Sequence, residues 1–299
     1  AEVFFRLASP VPLLEPPESA RRLFRFGQPT LAADCRAPGP EPAAVEVRLV
    51  DGDFPEWPAG PPVFDGGDGW LAYRLPSGDR LFYLNPPASG GQPIWVTRAS
   101  PDFARVTVHC GAFLSRSTAA GAAWQNPFRY PLDQILLMHA LASRQGVILH
   151  AAGALCGGRG LVCCGRSGAG KSTLCRQLQA DGTAEIFSDD RIVVRRAGAG
   201  YRAYGTPWPG ELGLALNAGY DCGAICFLAH GRENRLVRLD PAEALERLLP
   251  VASVPWYDSG LIVQALDFLS GLSDSLPAWE LQFVPDVSIA GFLAGFPAG

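Results

Sequence analysis

The chain has 299 residues, with 25 Lys and Arg against 29 Asp and Glu and a formal net charge of −4. Hydrophobic residues make up 48% and charged residues 18%, a balance that excludes a disordered chain and leaves room for one large or two ordinary domains. The mild acidity, with no long basic run, argues against nucleic acid as a partner. No apolar run reaches membrane-spanning length. The first residues lack a basic segment followed by an apolar core, so they do not read as a signal peptide. Eight cysteines are scattered without a C-x-x-C pair. They read as free buried thiols of a cytoplasmic protein. Cys163 and Cys164 should face opposite sides of a strand, whereas Cys222 and Cys226 could lie near each other.

Residues 1–129 read as a β-rich domain that offers no function of its own. Alternating runs at Val45–Val50, Trp70–Leu75, Arg80–Leu84, Ile94–Arg98 and Arg105–Cys110 predict strands. The second and third, joined by Pro76-Ser-Gly-Asp, predict a hairpin. Pro38–Pro42 reads as a loose loop. His109, alone in a strand, reads as structural.

Residues 130–299 read as an α/β domain. Pro131 to Arg144 predicts a helix, with Pro131 in its first turn and Gly146 beyond its end. His139 within it reads as a packed residue. Val147 to Leu149 predicts a short strand ending at His150. A turn at Gly157-Gly158 then leads into Leu161–Cys164, a buried strand. The pair forms a hairpin whose far end carries His150.

Gly165 to Thr173 follows, reading GRSGAGKST. It fills every fixed position of G-x-x-x-x-G-K-[ST] between a predicted strand and a helix over Thr173–Ala180. Glycines let backbone N–H groups curl round phosphate oxygens, and a helix N-terminus adds partial positive charge. The predicted nucleotide cradle is therefore Gly165, Arg166, Ser167, Gly168, Ala169, Gly170, Lys171, Ser172 and Thr173. Lys171 would reach the β- and γ-phosphates, and the Ser172 hydroxyl would join Mg²⁺. Lys171 is the only lysine in the chain. A compact ammonium suits a crowded phosphate pocket where a planar guanidinium does not.

Asp189 follows Lys171 by 18 residues, room for a helix, a turn and one strand, here Ala184–Phe187. Asp189 and Asp190 should thus return to the phosphate end of the sheet. One can hold Mg²⁺ while the other accepts a proton from an attacking hydroxyl. Further strands are predicted at Arg191–Arg196, Tyr201–Tyr204, Ala224–Ala229 and Leu281–Val284. Helices are predicted from Pro241 to Leu249 behind an Asp240 cap, over Tyr257–Leu269, and over Val287–Phe292. The rigid segment Gly205–Glu211 suits either a substrate wall or a packed turn. Arg232, Arg235 and Arg238 read as a solvated face.

The ordered set of His150, the glycine loop and the Asp pair resembles the kinase domain of HPr kinase/phosphorylase, which is similar in fold to ATP-using PEP carboxykinases. The resemblance spans Leu132 to Leu293. It implies ATP and Mg²⁺, Asp189 as general base, Asp190 with Ser172 on the metal side, and His150 as a supporting group. Phosphorylase-type members carry Ile-Arg-Gly-Leu-Gly beyond the Asp pair, where this chain has Gly205-Thr-Pro-Trp-Pro-Gly-Glu. The chain looks more like divergent members found beside peptide-modification genes. Two functions follow as expectations. One is an ATP-dependent kinase acting on a hydroxyl of a peptide, protein or small molecule. The other is a nucleotide-binding regulatory module without transfer. The resemblance leaves room for a homo-oligomer.

Overall fold

The structure is a computed structural model that describes residues 4–14, 44–67 and 69–296. Cys35 and the expected loop at Pro38–Pro42 lie outside the described residues. The chain divides into two compact units, Ala1–Ala140 and Leu141–Gly299.

The first unit is almost wholly β. Its strands are β1 (Phe4–Ala8), β2 (Leu13–Leu14), β3 (Ala44–Asp51), β4 (Phe64–Asp65), β5 (Trp70–Arg74), β6 (Arg80–Leu84), β7 (Trp95–Ala99), β8 (Arg105–Cys110), β9 (Ser115–Thr118) and β10 (Gly121–Gln125). One seven-stranded sheet has the order β1-β3-β8-β7-β6-β5-β4, and a three-stranded sheet has the order β2-β10-β9. Period-two alternation builds the large sheet: Val45, Val47 and Leu49 of β3 are buried, while Glu46 and Arg48 between them are exposed. The predicted hairpin is β5–β6, in register from Trp70↔Leu84 to Arg74↔Arg80. Helix α1 (Leu132–Ala142) carries His139, whose Nδ1 lies 2.7 Å from the Ile135 carbonyl and whose ring stacks on Phe103 at 4.2 Å. It is a packed residue, as its lone position on an apolar helix suggested. Burial holds the half-buried His109 imidazole below its ordinary basicity.

The second unit is built from β11 (Gly146–Cys156), β12 (Arg159–Cys164), α2 (Lys171–Asp181), β13 (Glu185–Ser188), β14 (Arg191–Ala197), β15 (Gly200–Gly205), β16 (Gly219–His230), β17 (Arg235–Leu239), α3 (Pro241–Leu248), β18 (Ala252–Ser253), α4 (Ser259–Ser275), β19 (Ala278–Phe283) and α5 (Ser288–Ala294). Its strands run in the order β12-β11-β14-β15-β16-β19-β17, and β12 also pairs β16. That extra pairing closes a ring through β12, β11, β14, β15 and β16. β12–β16 and β16–β19 are parallel, and the hairpin pairs are antiparallel.

Two apolar cores lie on opposite faces of the shared strands. Val162 and Cys164 of β12, with Ile225 and Phe227 of β16, join a core with α3 and α4. Leu161, Cys163, Ala224 and Cys226 join the other, under Leu174 and Leu178 of α2 and Ile289 and Leu293 of α5. Cys163 and Cys164 therefore face opposite ways, as strand geometry requires. Cys222 and Cys226 do too, which overturns their expected proximity: four residues apart on a strand would share a face, but the β12–β16 register shifts between Gly160 and Leu161. The seven described cysteines are free and buried. The Asp240–Glu243 capping box and Pro241 start α3 as the sequence indicated.

One strand departs from expectation in a way that matters. The β11 run does not stop at His150 but continues through Ala-Ala-Gly to Cys156. Small residues there admit an aromatic ring: a Cβ on Gly153 would come within 2.2 Å of the Phe187 ring. Phe187 is fully buried and fills the space that Gly153 leaves. Phe187→Ala is therefore expected to cost about 3–5 kcal/mol, read as a lower urea midpoint at unchanged slope. Gly153→Ala should cost about 1–3 kcal/mol by overpacking, and less in a Phe187→Leu background.

Candidate active site

Two pairing registers assemble the site. In the β11–β12 hairpin, Ala151 pairs with Cys164, so His150 lies level with Gly165, the first residue of the loop. The Gly165 N–H donates to the His150 carbonyl at 3.4 Å. On the other side of β11, His150 pairs with Arg191 of β14. The Ala151 N–H donates to the Asp190 carbonyl at 2.9 Å. The sequence-predicted His150, Gly165–Thr173 and Asp189–Asp190 are thus neighbours across three segments.

The loop joins β12 to α2. Gly170 caps the helix with φ +99°, a left-handed value that a side chain would strain. A Cβ on Gly165 would meet Ala169 Cβ at 2.6 Å. Arg166, Ser167 and Gly168 are exposed, and Ser172 and Thr173 are half-buried. Lys171 is only 7% exposed. Its Nζ donates to the carbonyls of Gly165 at 2.8 Å and Arg166 at 3.3 Å. Burial lowers its basicity, and the nearby Asp190 carboxylate opposes that drop.

The two aspartates have different surroundings. Asp189 is 1% exposed. Its Oδ1 accepts the Gly210 N–H at 2.7 Å and its Oδ2 accepts the Leu212 N–H at 2.7 Å. Both oxygens thereby fasten the Thr206–Leu214 segment to β13. Glu211 in the same segment pairs with Arg176 of α2. Asp190 is half-buried. Its Oδ1 lies 3.0 Å from His150 Nε2 and its Oδ2 lies 3.4 Å from Arg191 Nε. The hydrogen bond from His150 holds the Asp190 carboxyl below the usual carboxylate range; Arg191 and Lys171 pull the same way, against burial. Of the pair, Asp190 is the one whose charge acts on Lys171.

Arg191 is the residue that sequence reasoning passed over. It appeared as the first position of a strand, and its adjacency to Asp190 was the available signal. Its carbonyl accepts hydrogen bonds from Ser188 Oγ and Thr206 Oγ1, both at 2.6 Å. Among the described residues no group of three or more His, Cys, Asp or Glu could hold a metal ion. No helix among them is long and apolar enough to cross a membrane.

The class that fold and site define is a mixed α/β protein, mostly strands in several sheets, with a glycine loop at a helix N-terminus and, beside it, an Asp190 carboxylate held by His150 and Arg191. A family model described as ScmC, SynChlorMet cassette protein ScmC, matches residues 132–265. That span contains His150, the loop, Lys171 and both aspartates. No curated protein matches the chain.

Two outcomes are expected. The folded-state pKa of Asp190 lies below its unfolded value, so its contribution to stability is present above the unfolded pKa and lost as pH falls through the folded one. His150→Ala removes the main cause. The Asp190 titration followed by carbon NMR should move up toward the ordinary range, and the acid limb of the stability profile should become shallower. Asp189→Ala leaves the Gly210 and Leu212 amides without their acceptor. It should cost about 1.5–3 kcal/mol and speed hydrogen exchange at those two amides before others.

Proposed function

We propose that the chain is an ATP-dependent kinase that transfers the γ-phosphoryl group to a hydroxyl, and that its second unit is a P-loop domain of the HPr kinase/PEP carboxykinase type. The observation that carries this reading is that His150, whose carbonyl accepts the first N–H of the Gly165–Thr173 loop, holds the Asp190 carboxylate at 3.0 Å. Lys171 as a cation for phosphate oxygens and Asp190 as a carboxylate for an acceptor proton thus belong to one site, and phosphoryl transfer to a hydroxyl uses both.

In this reading the loop N–H groups and the N-terminus of α2 bind the phosphates. Lys171 exchanges its two carbonyl partners for phosphate oxygens and offsets charge that builds during transfer. The expected roles of the two aspartates are revised. Asp189 accepts two main-chain N–H groups and is buried, so it positions the 206–214 segment. Asp190 takes the acceptor proton, with His150 orienting its carboxylate. Ser172 is the residue that would hold Mg²⁺ directly, and Asp190, the base in this reading, would stand on the metal side only through water. Both are hard oxygen donors, and Mg²⁺ characteristically uses one or two protein ligands together with phosphates, which is compatible with the lack of a larger ligand cluster. Bound there, the ion would neutralise phosphate charge. The acceptor is a serine-like hydroxyl on a peptide, protein or metabolite.

The protein is to be incubated with Mg-ATP and serine-bearing peptides or serine-like metabolites, and products screened by mass for an added phosphate. Asp190→Asn should lower transfer by about a hundredfold or more while nucleotide affinity stays near wild type. Lys171→Ala should lose nucleotide binding. Tight nucleotide binding with no transfer to any acceptor would leave a regulatory module instead.

A further inference from the structure

We propose that Arg191 is a phosphate-binding residue whose guanidinium contacts the terminal phosphoryl group of a nucleoside triphosphate held by the Gly165–Thr173 loop. The inference rests on the nucleotide-binding reading above and adds a residue that the glycine motif does not contain.

Position comes first. Arg191 opens β14 and pairs with His150, whose carbonyl accepts the first N–H of the loop. One strand, β11, therefore separates Arg191 from the start of the cradle. Its carbonyl takes two hydroxyl hydrogen bonds, from Ser188 and Thr206. The backbone is anchored while the side chain remains partly exposed, at 26%. A fixed base with a reachable head group suits a ligand contact.

Charge comes second. Lys171 and Arg191 are close enough to act on one another, and Asp190 is the carboxylate that acts on Lys171. The charged groups acting on Asp190 are Arg191, His150 and Lys171. Two cations thus share one carboxylate, and Asp189 is not among the charged groups acting on Lys171 or Asp190. Two cations beside a helix N-terminus suit a phosphate group.

Chemistry selects the phosphate and its place. A guanidinium offers a planar fork of donors that matches phosphate oxygens two at a time. Its Nε lies 3.4 Å from Asp190 Oδ2, and among the described residues that is the guanidinium's one ion pair. Lys171 serves the β- and γ-phosphates in such loops. Asp190 meets the acceptor at the outer end of the chain of phosphates, so a residue paired with Asp190 lies at that end too. Arg191 should then distinguish a triphosphate from a diphosphate.

The test is calorimetric titration of the full chain with Mg²⁺ and either a non-hydrolysable ATP analogue or ADP. Wild type, Arg191→Ala and Arg191→Lys are compared, each with its thermal midpoint as a folding control. Arg191→Ala should weaken the triphosphate analogue by about ten- to a hundredfold and ADP by less than about threefold. Arg191→Lys, which keeps the charge and secures the comparison if the alanine variant fails to fold, should recover part of the loss. Equal weakening of both nucleotides, or of neither, in a folded variant overturns the role of Arg191 and leaves the nucleotide reading standing. A wild-type chain that binds neither nucleotide overturns both.

Discussion

The register of β11 is the constraint on which the second unit depends. Its first half pairs with β14 and its second half with β12 and β13, with His150 at the changeover. A slip of one residue on either side would turn every side chain to the opposite face. The apolar cores on the two faces prevent such a slip, because Leu149 and Ala151 enter one and Ala152 and Ala154 the other. The same register sets His150 beside Gly165 and across from Arg191. Core packing and site geometry are therefore one specification.

The two adjacent aspartates illustrate how neighbours in sequence acquire different chemistry. Asp189 is enclosed, and an enclosed carboxylate is tolerable only with donors on its oxygens. Gly210 and Leu212 supply them from a segment that otherwise has little regular structure. The result is a main-chain clamp between β13 and the 206–214 segment. Asp190 keeps a partly open carboxylate, oriented by an imidazole and balanced by two cations. Alternation along the chain sends one inward and one toward the loop.

Much of this unit was legible in the sequence. The glycine loop, the strand before it, the helix after it and the return of the Asp pair all follow from local patterns: fixed glycine spacing, a short apolar run, a helical period. The Asp240–Pro241–Glu243 helix start was equally plain. Boundaries were less so. β11 reads as ending at His150 because Ala-Ala-Gly carries little strand propensity, yet it continues to Cys156, paired with β12 along its second half, with Gly153 leaving room for the Phe187 ring. β17 was missed since Arg235 and Arg238 read as solvated; Arg238 does remain exposed, stacked over Trp279 at 4.8 Å. In the first unit the five strands of the large sheet that alternate most clearly are legible, and the β9–β10 hairpin is not, because β9 is exposed throughout and β10 buries two consecutive residues, Ala123 and Trp124, without alternation.

The sequence by itself determined that a glycine-rich turn carrying the chain's single lysine stands between a buried strand and a helix, because that information is held in consecutive residues and their backbone preferences. Which aspartate pairs with His150, that His150 lies mid-strand, and that Arg191 lies across β11 from the turn were decided only by the tertiary structure. Those relations depend on the pairing of β11 with β12 and β14, and strand pairing is fixed by which side chains can be buried together across the sheet, not by any one segment's own pattern.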